Sequence, residues 1–227
     1  PVSYLMTGVF ERHDRRRFEI TGFSLRPGDG SPASNRVRTA LGRVVDVFGK
    51  TDAEIAALLR ELEVDIAVDM MGHTFGSRTA IFAHRPAPVQ VNYLGFPGTM
   101  GSPYMDYLIA DPVVMPPGQQ AHYAENIAYL PDCFQANDDR RPIGAIRPAR
   151  PAVGLPETGF VFCCFNNGYK ITPSVFERWL SLLRAVPGSV LWLFAEHPVV
   201  LRNLRAEAQR RGVDPQRLVF AERLPYA

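Results

Sequence analysis

The apolar positions of the chain alternate between two rhythms. Phe18–Leu25 and Val44–Phe48 are short β-rich runs, and each predicts a buried strand. Thr51-Asp52-Ala53-Glu54 then has the form of a capping box, with Ile55, Leu58, Leu59 and Leu62 following at i, i+3, i+4 and i+7. That spacing predicts an amphipathic helix, which hands over to a strand at Val64–Met71. Strand, helix and strand in succession form the crossover of a parallel sheet. A short helix over Gly76–His84, ended by Arg85-Pro86-Ala87-Pro88, leads to a strand at Val89–Leu94; Tyr107–Ala110 and Ile127–Leu130 are weaker strand patterns.

Between Asp132 and Gly159 the chain turns to Asp, Arg, Pro and Gly with little periodicity, and 132–158 reads as a linker between a lobe at 1–131 and a second at 159–227. Beyond it the βαβ rhythm restarts. Phe160–Phe165, Ser189–Ala195 and Arg217–Phe220 read as strands, Ser174–Val186 and about Val200–Arg211 as helices. The expected fold class is α/β: two doubly wound lobes with ligands at the carboxyl ends of the strands, where the loops matter most. Three strands make a small sheet for the second lobe, and the first lobe is expected to lack its first strand, so both lobes are expected to be truncated at the chain ends.

Composition narrows the function. The 227 residues are 46% hydrophobic and 21% charged, with 25 basic against 23 acidic side chains, which describes a globular chain with no charge bias toward nucleic acid. No run reaches the length of a membrane span and no leader opens the chain, so a cytoplasmic protein is expected. Three cysteines, two of them adjacent at Cys163 and Cys164, do not form a disulfide framework. The basic residues include only two lysines, Lys50 and Lys170, so a lysine marks a place where a compact ammonium is wanted.

Three loops after strands could carry chemistry. Phe165-Asn166-Asn167-Gly168-Tyr169-Lys170-Ile171-Thr172-Pro173 leaves a strand and enters a helix that Thr172 can cap and Pro173 can start; with Lys170 it could hold a diphosphate without a metal. The alternative is a tight Asn-Gly turn beside a solvated charge. Leu94-Gly95-Phe96-Pro97-Gly98-Thr99-Met100-Gly101 brings backbone close to a ligand, or is an irregular turn packing a strand end, and lacks the glycine spacing of a dinucleotide oxidoreductase. In Gly72-His73-Thr74-Phe75-Gly76-Ser77-Arg78, Arg78 could bind an anionic or peptide group and His73 could serve as acid or base. Asp65 and Asp69 share a strand face, but no second histidine or cysteine lies near enough to complete a metal set with His73, and no nucleophile elbow occurs.

The run His84-Arg85-Pro86-Ala87-Pro88-Val89-Gln90-Val91-Asn92-Tyr93-Leu94-Gly95-Phe96-Pro97-Gly98-Thr99, continuing to Tyr104-Met105-Asp106-Tyr107, closely resembles the signature of the protein O-GlcNAc transferase family, glycosyltransferase family 41, which also holds SPINDLY. Phe165–Lys170 and Pro187–Leu193 resemble its nucleotide-side strands and loop. The resemblance implies a GT-B fold of two Rossmann-like lobes facing across a cleft. It also implies inverting, metal-independent transfer, without a cofactor, of GlcNAc from UDP-GlcNAc to Ser or Thr hydroxyls of proteins. By position, Lys170 then binds the diphosphate and steadies the leaving group, Asn167 and Tyr169 line the nucleotide sugar, and Leu94, Gly95 and Pro97 contact the sugar. Leu224 falls where backbone reads the base, and Arg78 on the acceptor side, with Phe75 in place of a lysine some members carry nearby. In relatives a histidine proposed as base precedes the proline matching Pro1, a His-Thr-Thr loop lies beyond the position of Ala227, and tetratricopeptide repeats precede the catalytic region, so a fragment inactive by itself is expected. The alternatives are O-fucosyl transfer from GDP-fucose, N-glucosylation as in more distant relatives, and a nucleotide-binding or interaction module without chemistry.

Overall fold

The computed structural model describes residues 2–141, 144, 147–195 and 197–223, which fold as two compact units, 1–141 and 142–227. In the first, the elements run α1 (Val2–Arg12), β1 (Thr21–Ser24), α2 (Pro32–Leu41), β2 (Arg43–Asp46), α3 (Asp52–Glu61), β3 (Ile66–Asp69), α4 (Ala80–Ala83), β4 (Val89–Asn92), β5 (Tyr107–Ala110) and β6 (Asn126–Tyr129). The second has β7 (Val161–Cys164), α5 (Pro173–Ala185), β8 (Val190–Phe194), α6 (Pro198–Arg210) and β9 (Leu218–Ala221). Every strand pairing among the described residues is parallel, as the β1-α2-β2, β3-α4-β4 and β7-α5-β8 crossovers require.

Local rules set the helix boundaries. Thr51 and Glu54 form the full capping box of α3, and Ile55, Ala56 and Leu59 are its buried face. The helix expected over 76–84 is a single turn, α4, because three breaks in quick succession, at Gly72, Gly76 and Pro86, leave no room for more. Helix α2 escapes a reading by apolar periodicity, since only Ala40 and Leu41 are buried along it, yet its punctuation is explicit: Ser31 caps, Pro32 starts and Gly42 ends it at φ +79°.

The first unit has two sheets, β1-β2 and β3-β4-β5-β6, where one sheet was expected. No hydrogen bonds join β1 to β3, and Ile66 and Val68 on β3 are 55% and 43% exposed. Both sheets share one core with α3 and α4, in which Val47, Ile55, Ala56, Leu59, Ala67 and Ile81 are buried and Phe23 and Val45 pack against them. On α1, Met6 packs with Tyr93, Leu94 and Phe134. In the second unit, α5 and α6 cover one face of β7-β8-β9 through Phe176, Leu180, Leu183, Leu191, Leu193, Ala208 and Leu218.

Residues 134–139 are fastened to the first unit by polar contacts. Asp111, buried at the end of β5, accepts hydrogen bonds from Phe134, Val113 and Val114 backbone N–H groups, which hold its carboxyl below the usual range. The Tyr93 hydroxyl donates to the Phe134 carbonyl at 2.7 Å. Arg36 on α2 donates to Asp138 at 2.5 Å and to Glu11 on α1 at 2.8 Å, and both carboxyls are lowered by that guanidinium. A carboxylate whose folded pKa lies below its unfolded value stabilises above the ordinary carboxylate range and loses that contribution as pH falls through the folded value. Thermal melts of Asp138→Asn are therefore expected to show a lower Tm than wild type at pH 7 and a smaller further loss on acidification toward pH 3. Parallel acid limbs for the two proteins contradict this assignment.

Candidate active site

In the second unit the loop leaving β7 is anchored by Phe165, whose ring meets Trp192 on β8 edge to face at 5.0 Å. One 3-10 turn at Gly168–Lys170 follows, closed by Lys170 N–H to the Asn167 carbonyl at 2.9 Å. Thr172 caps α5 by accepting from Val175 N–H, and Pro173 occupies its first position. Helix α6 starts at the same edge: Gly168 lies close to Val200, and His197 Nδ1 accepts from Val199 N–H. Asn167, Tyr169 and Lys170 are all exposed, and the Lys170 ammonium has no ion-pair or hydrogen-bond partner among the described residues. A cation unpaired among the described residues and placed two residues before the N-cap of a 13-residue helix is arranged to receive an anion. The base-reading position Leu224 lies outside the described residues.

In the first unit, the loops after β3 and β4 interlock. Asp69 and Asn92 are register partners at the strand ends, 93% and fully buried. One Asp69 oxygen accepts from Met71 and Gly72 N–H; Asn92 Nδ2 donates to the carbonyls of Phe96 at 2.9 Å and Gly98 at 3.2 Å. Glu125, at the start of β6, accepts from Met100 N–H at 2.6 Å and the Thr99 hydroxyl at 2.8 Å. His73 Nε2 donates to the Met100 carbonyl at 3.2 Å with its ring edge to face on Phe96. The backbones touch: a Cβ on Gly95 would overlap the Met70 carbonyl oxygen, and one on Gly72 would lie 2.6 Å from Phe96 Cβ. Leu94 enters the loop at φ +71°, a conformation costing a non-glycine residue on the order of 1–3 kcal/mol, held by burying its side chain with Met6 and Tyr93. Pro97 is exposed at the loop tip.

Arg78 is engaged within the protein. It donates to the Lys50 carbonyl at 2.9 Å and pairs with Asp52, tying the loop after β2 to the loop after β3. Phe75, three residues before it, is 94% exposed. Leu94, Gly95 and Pro97 thus lie in one loop, Asn167, Tyr169 and Lys170 in another, and Arg78 braces a third. The supporting roles of Asn92, Asp69 and Glu125 do not emerge from motif spacing, which marks Asp69 only as sharing a strand face with Asp65. Their signal is polarity where a buried parallel strand is normally apolar, most visibly in Val89-Gln90-Val91-Asn92, where both polar side chains are fully buried.

Parallel α/β units with ligand-facing loops at their carboxyl edges are the fold class of GT-B glycosyltransferases, and comparison with known proteins agrees. The family model described as glycosyl transferase family 41 matches residues 1–147 and 135–225, and the chain belongs to that family. It is 36% identical over 98% of its length to an Arabidopsis thaliana protein named probable UDP-N-acetylglucosamine–peptide N-acetylglucosaminyltransferase SEC, and 32% identical over 96% to a Petunia hybrida protein of that activity name, SPINDLY. It covers 23% and 24% of those relatives, so the chain spans about a quarter of their length. A solved O-GlcNAc transferase of Thermobaculum terrenum, a lysine-to-methionine mutant, superimposes with a TM-score of 0.87 at 33% identity, covering 99% of this chain and 42% of that one. Among the described residues no helix is long and apolar enough to cross a membrane.

Proposed function

We propose that the protein is part of a glycosyltransferase that moves GlcNAc from UDP-GlcNAc to Ser or Thr hydroxyls of proteins, with inversion and without a metal. The observation that carries this reading is the Lys170 ammonium, unpaired among the described residues, beside the capped start of α5, in a chain whose relatives are named for UDP-GlcNAc and peptide. In the reaction an acceptor oxygen attacks C1 of the sugar from the face opposite the diphosphate. The C1–O bond to phosphate breaks, its electron pair leaves with UDP, and the hydroxyl proton passes to a base. Charge gathers on the diphosphate as that bond breaks. Lys170 and the α5 N-terminus supply the balancing positive charge that a divalent cation supplies elsewhere.

On this reading the second unit takes the nucleotide, with Lys170 at the diphosphate, Asn167 and Tyr169 lining the nucleotide sugar and Leu224 at the base. The first presents Leu94, Gly95 and Pro97 to the sugar. Arg78, already bound to Asp52 and the Lys50 carbonyl, acts on the acceptor by fixing the loop that displays Phe75.

Competition binding tests the donor. UDP is expected to displace a labelled uridine nucleotide far better than GDP, and a chelator is expected to leave the transfer rate of the intact protein unchanged. Preference for GDP points instead to fucosyl transfer, and binding of neither nucleotide leaves an interaction module.

A further inference from the structure

The geometry points to Asn92 as a positioning residue that turns the backbone N–H of Thr99 outward as a hydrogen-bond donor to an uncharged oxygen of the donor sugar. This rests on the reading of the 94–101 loop as the sugar-side loop. Asn92 is fully buried at the end of β4, and among the described residues its side chain bonds through Nδ2 to the carbonyls of Phe96 and Gly98. A trans peptide is planar, with C=O and N–H pointing opposite ways. Drawing the Gly98 carbonyl into the protein toward Asn92 therefore faces the Thr99 N–H away from the interior. That N–H has no acceptor among the described residues, whereas the Thr99 side chain and the N–H of Met100 beside it are committed. The Thr99 hydroxyl donates to Glu125 and accepts from the N–H groups of Gly101 and Ala124, and Met100 N–H donates to Glu125.

The fixing is rigid as well as directional. Glu125 holds the loop from the β6 side, Asn92 from β4, and the Gly95 backbone lies against Met70 and Met71 with no space for a side chain. A donor oriented before the ligand arrives costs no reorganisation when it binds. Sequence alone does not distinguish this N–H from its neighbours. It is singled out by the buried amide behind it.

The test uses the intact protein, titrated with UDP and with UDP-GlcNAc, and two changes. Asn92→Asp keeps the shape and removes the amide donors. Replacement of Thr99 by its α-hydroxy acid, which turns the amide into an ester, removes the N–H and leaves the side chain. Each is expected to weaken UDP-GlcNAc about tenfold, the scale of one hydrogen bond, while UDP binds as before, and the two together are expected to cost no more than one alone. Unaltered UDP-GlcNAc binding by the ester variant overturns the proposal, and equal losses for UDP and UDP-GlcNAc assign Asn92 a general folding role instead. Failure of the unmodified protein to bind either compound defeats the functional reading itself, and this inference with it.

Discussion

Lys170→Ala in the intact protein is expected to lower the transfer rate by roughly 10²–10³, about 3–4 kcal/mol of transition-state stabilisation, because a preorganised donor is removed where charge develops. The same substitution is expected to leave the melting temperature nearly unchanged. Lys170 is exposed and unpaired among the described residues, and surface changes of that kind stay within about 0.5 kcal/mol. A catalytic loss without a stability loss separates a functional lysine from a structural one. Arginine is a poor substitute, since a planar fork does not reach between phosphates as a compact ammonium does, so Lys170→Arg is expected to recover little of the rate. Rates and melts of both variants together check the claim, and a near-normal rate for the alanine variant removes Lys170 from the mechanism.

Gly95→Ala is expected to be the most damaging single methyl in the first unit. The added carbon has to occupy the space of the Met70 carbonyl oxygen and crowd Met71, and backbone cannot step aside as the end of a flexible side chain can. Overpacking of this kind costs about 1–3 kcal/mol, and the loop it displaces carries Leu94 and Pro97. Gly101→Ala is the informative control. Gly101 has φ +62° but open space around its Cβ position, so alanine there carries only the left-handed backbone penalty, on the order of 1 kcal/mol. Thermal melts are expected to rank Gly95→Ala below Gly101→Ala, and Gly95→Ala alone is expected to abolish transfer. The reverse order of stability contradicts the packing of the two loops.

Much of this arrangement was legible in the chain. The capping box at Thr51, the 3.6-residue stripe of α3 and the β-rich runs around it give that helix and its flanking strands, because those signals are local, but the crossover expected between those strands is not formed: β2 pairs with β1 and β3 with β4, in separate sheets. Strand β5 appears at the predicted Tyr107–Ala110, whereas Phe18–Leu25 contracts to Thr21–Ser24 and Val64–Met71 to Ile66–Asp69. Hydrophobicity extends past the last ladder bond in both, so the apolar run overstates the strand. Helix α1 was not anticipated and α2 was missed, the latter because its contacts are ionic: Arg36 to Glu11 and Asp138 leaves no apolar stripe to read. The family signature marks the 94–101 loop, but not what holds it. Asp69 and Asn92 tie down backbone only two to six residues ahead, but as buried polar side chains at strand ends rather than as a motif, and Glu125 reaches Thr99 and Met100 some 25 residues away, which no spacing rule contains. The engagement of Arg78 by Asp52 is equally invisible, since it depends on how two loops meet at the edge of separate sheets.

The central claim is that the turn between β7 and α5 holds a diphosphate through Lys170. Calorimetric titration of UDP and of uridine against wild type and Lys170→Ala tests it directly. A charge-assisted contact is worth about 1.5–3 kcal/mol, so UDP is expected to bind the variant roughly 10- to 100-fold more weakly, with uridine, which has no phosphate, unaffected. Equal affinity of the two proteins for UDP, or a loss shared by UDP and uridine, contradicts it.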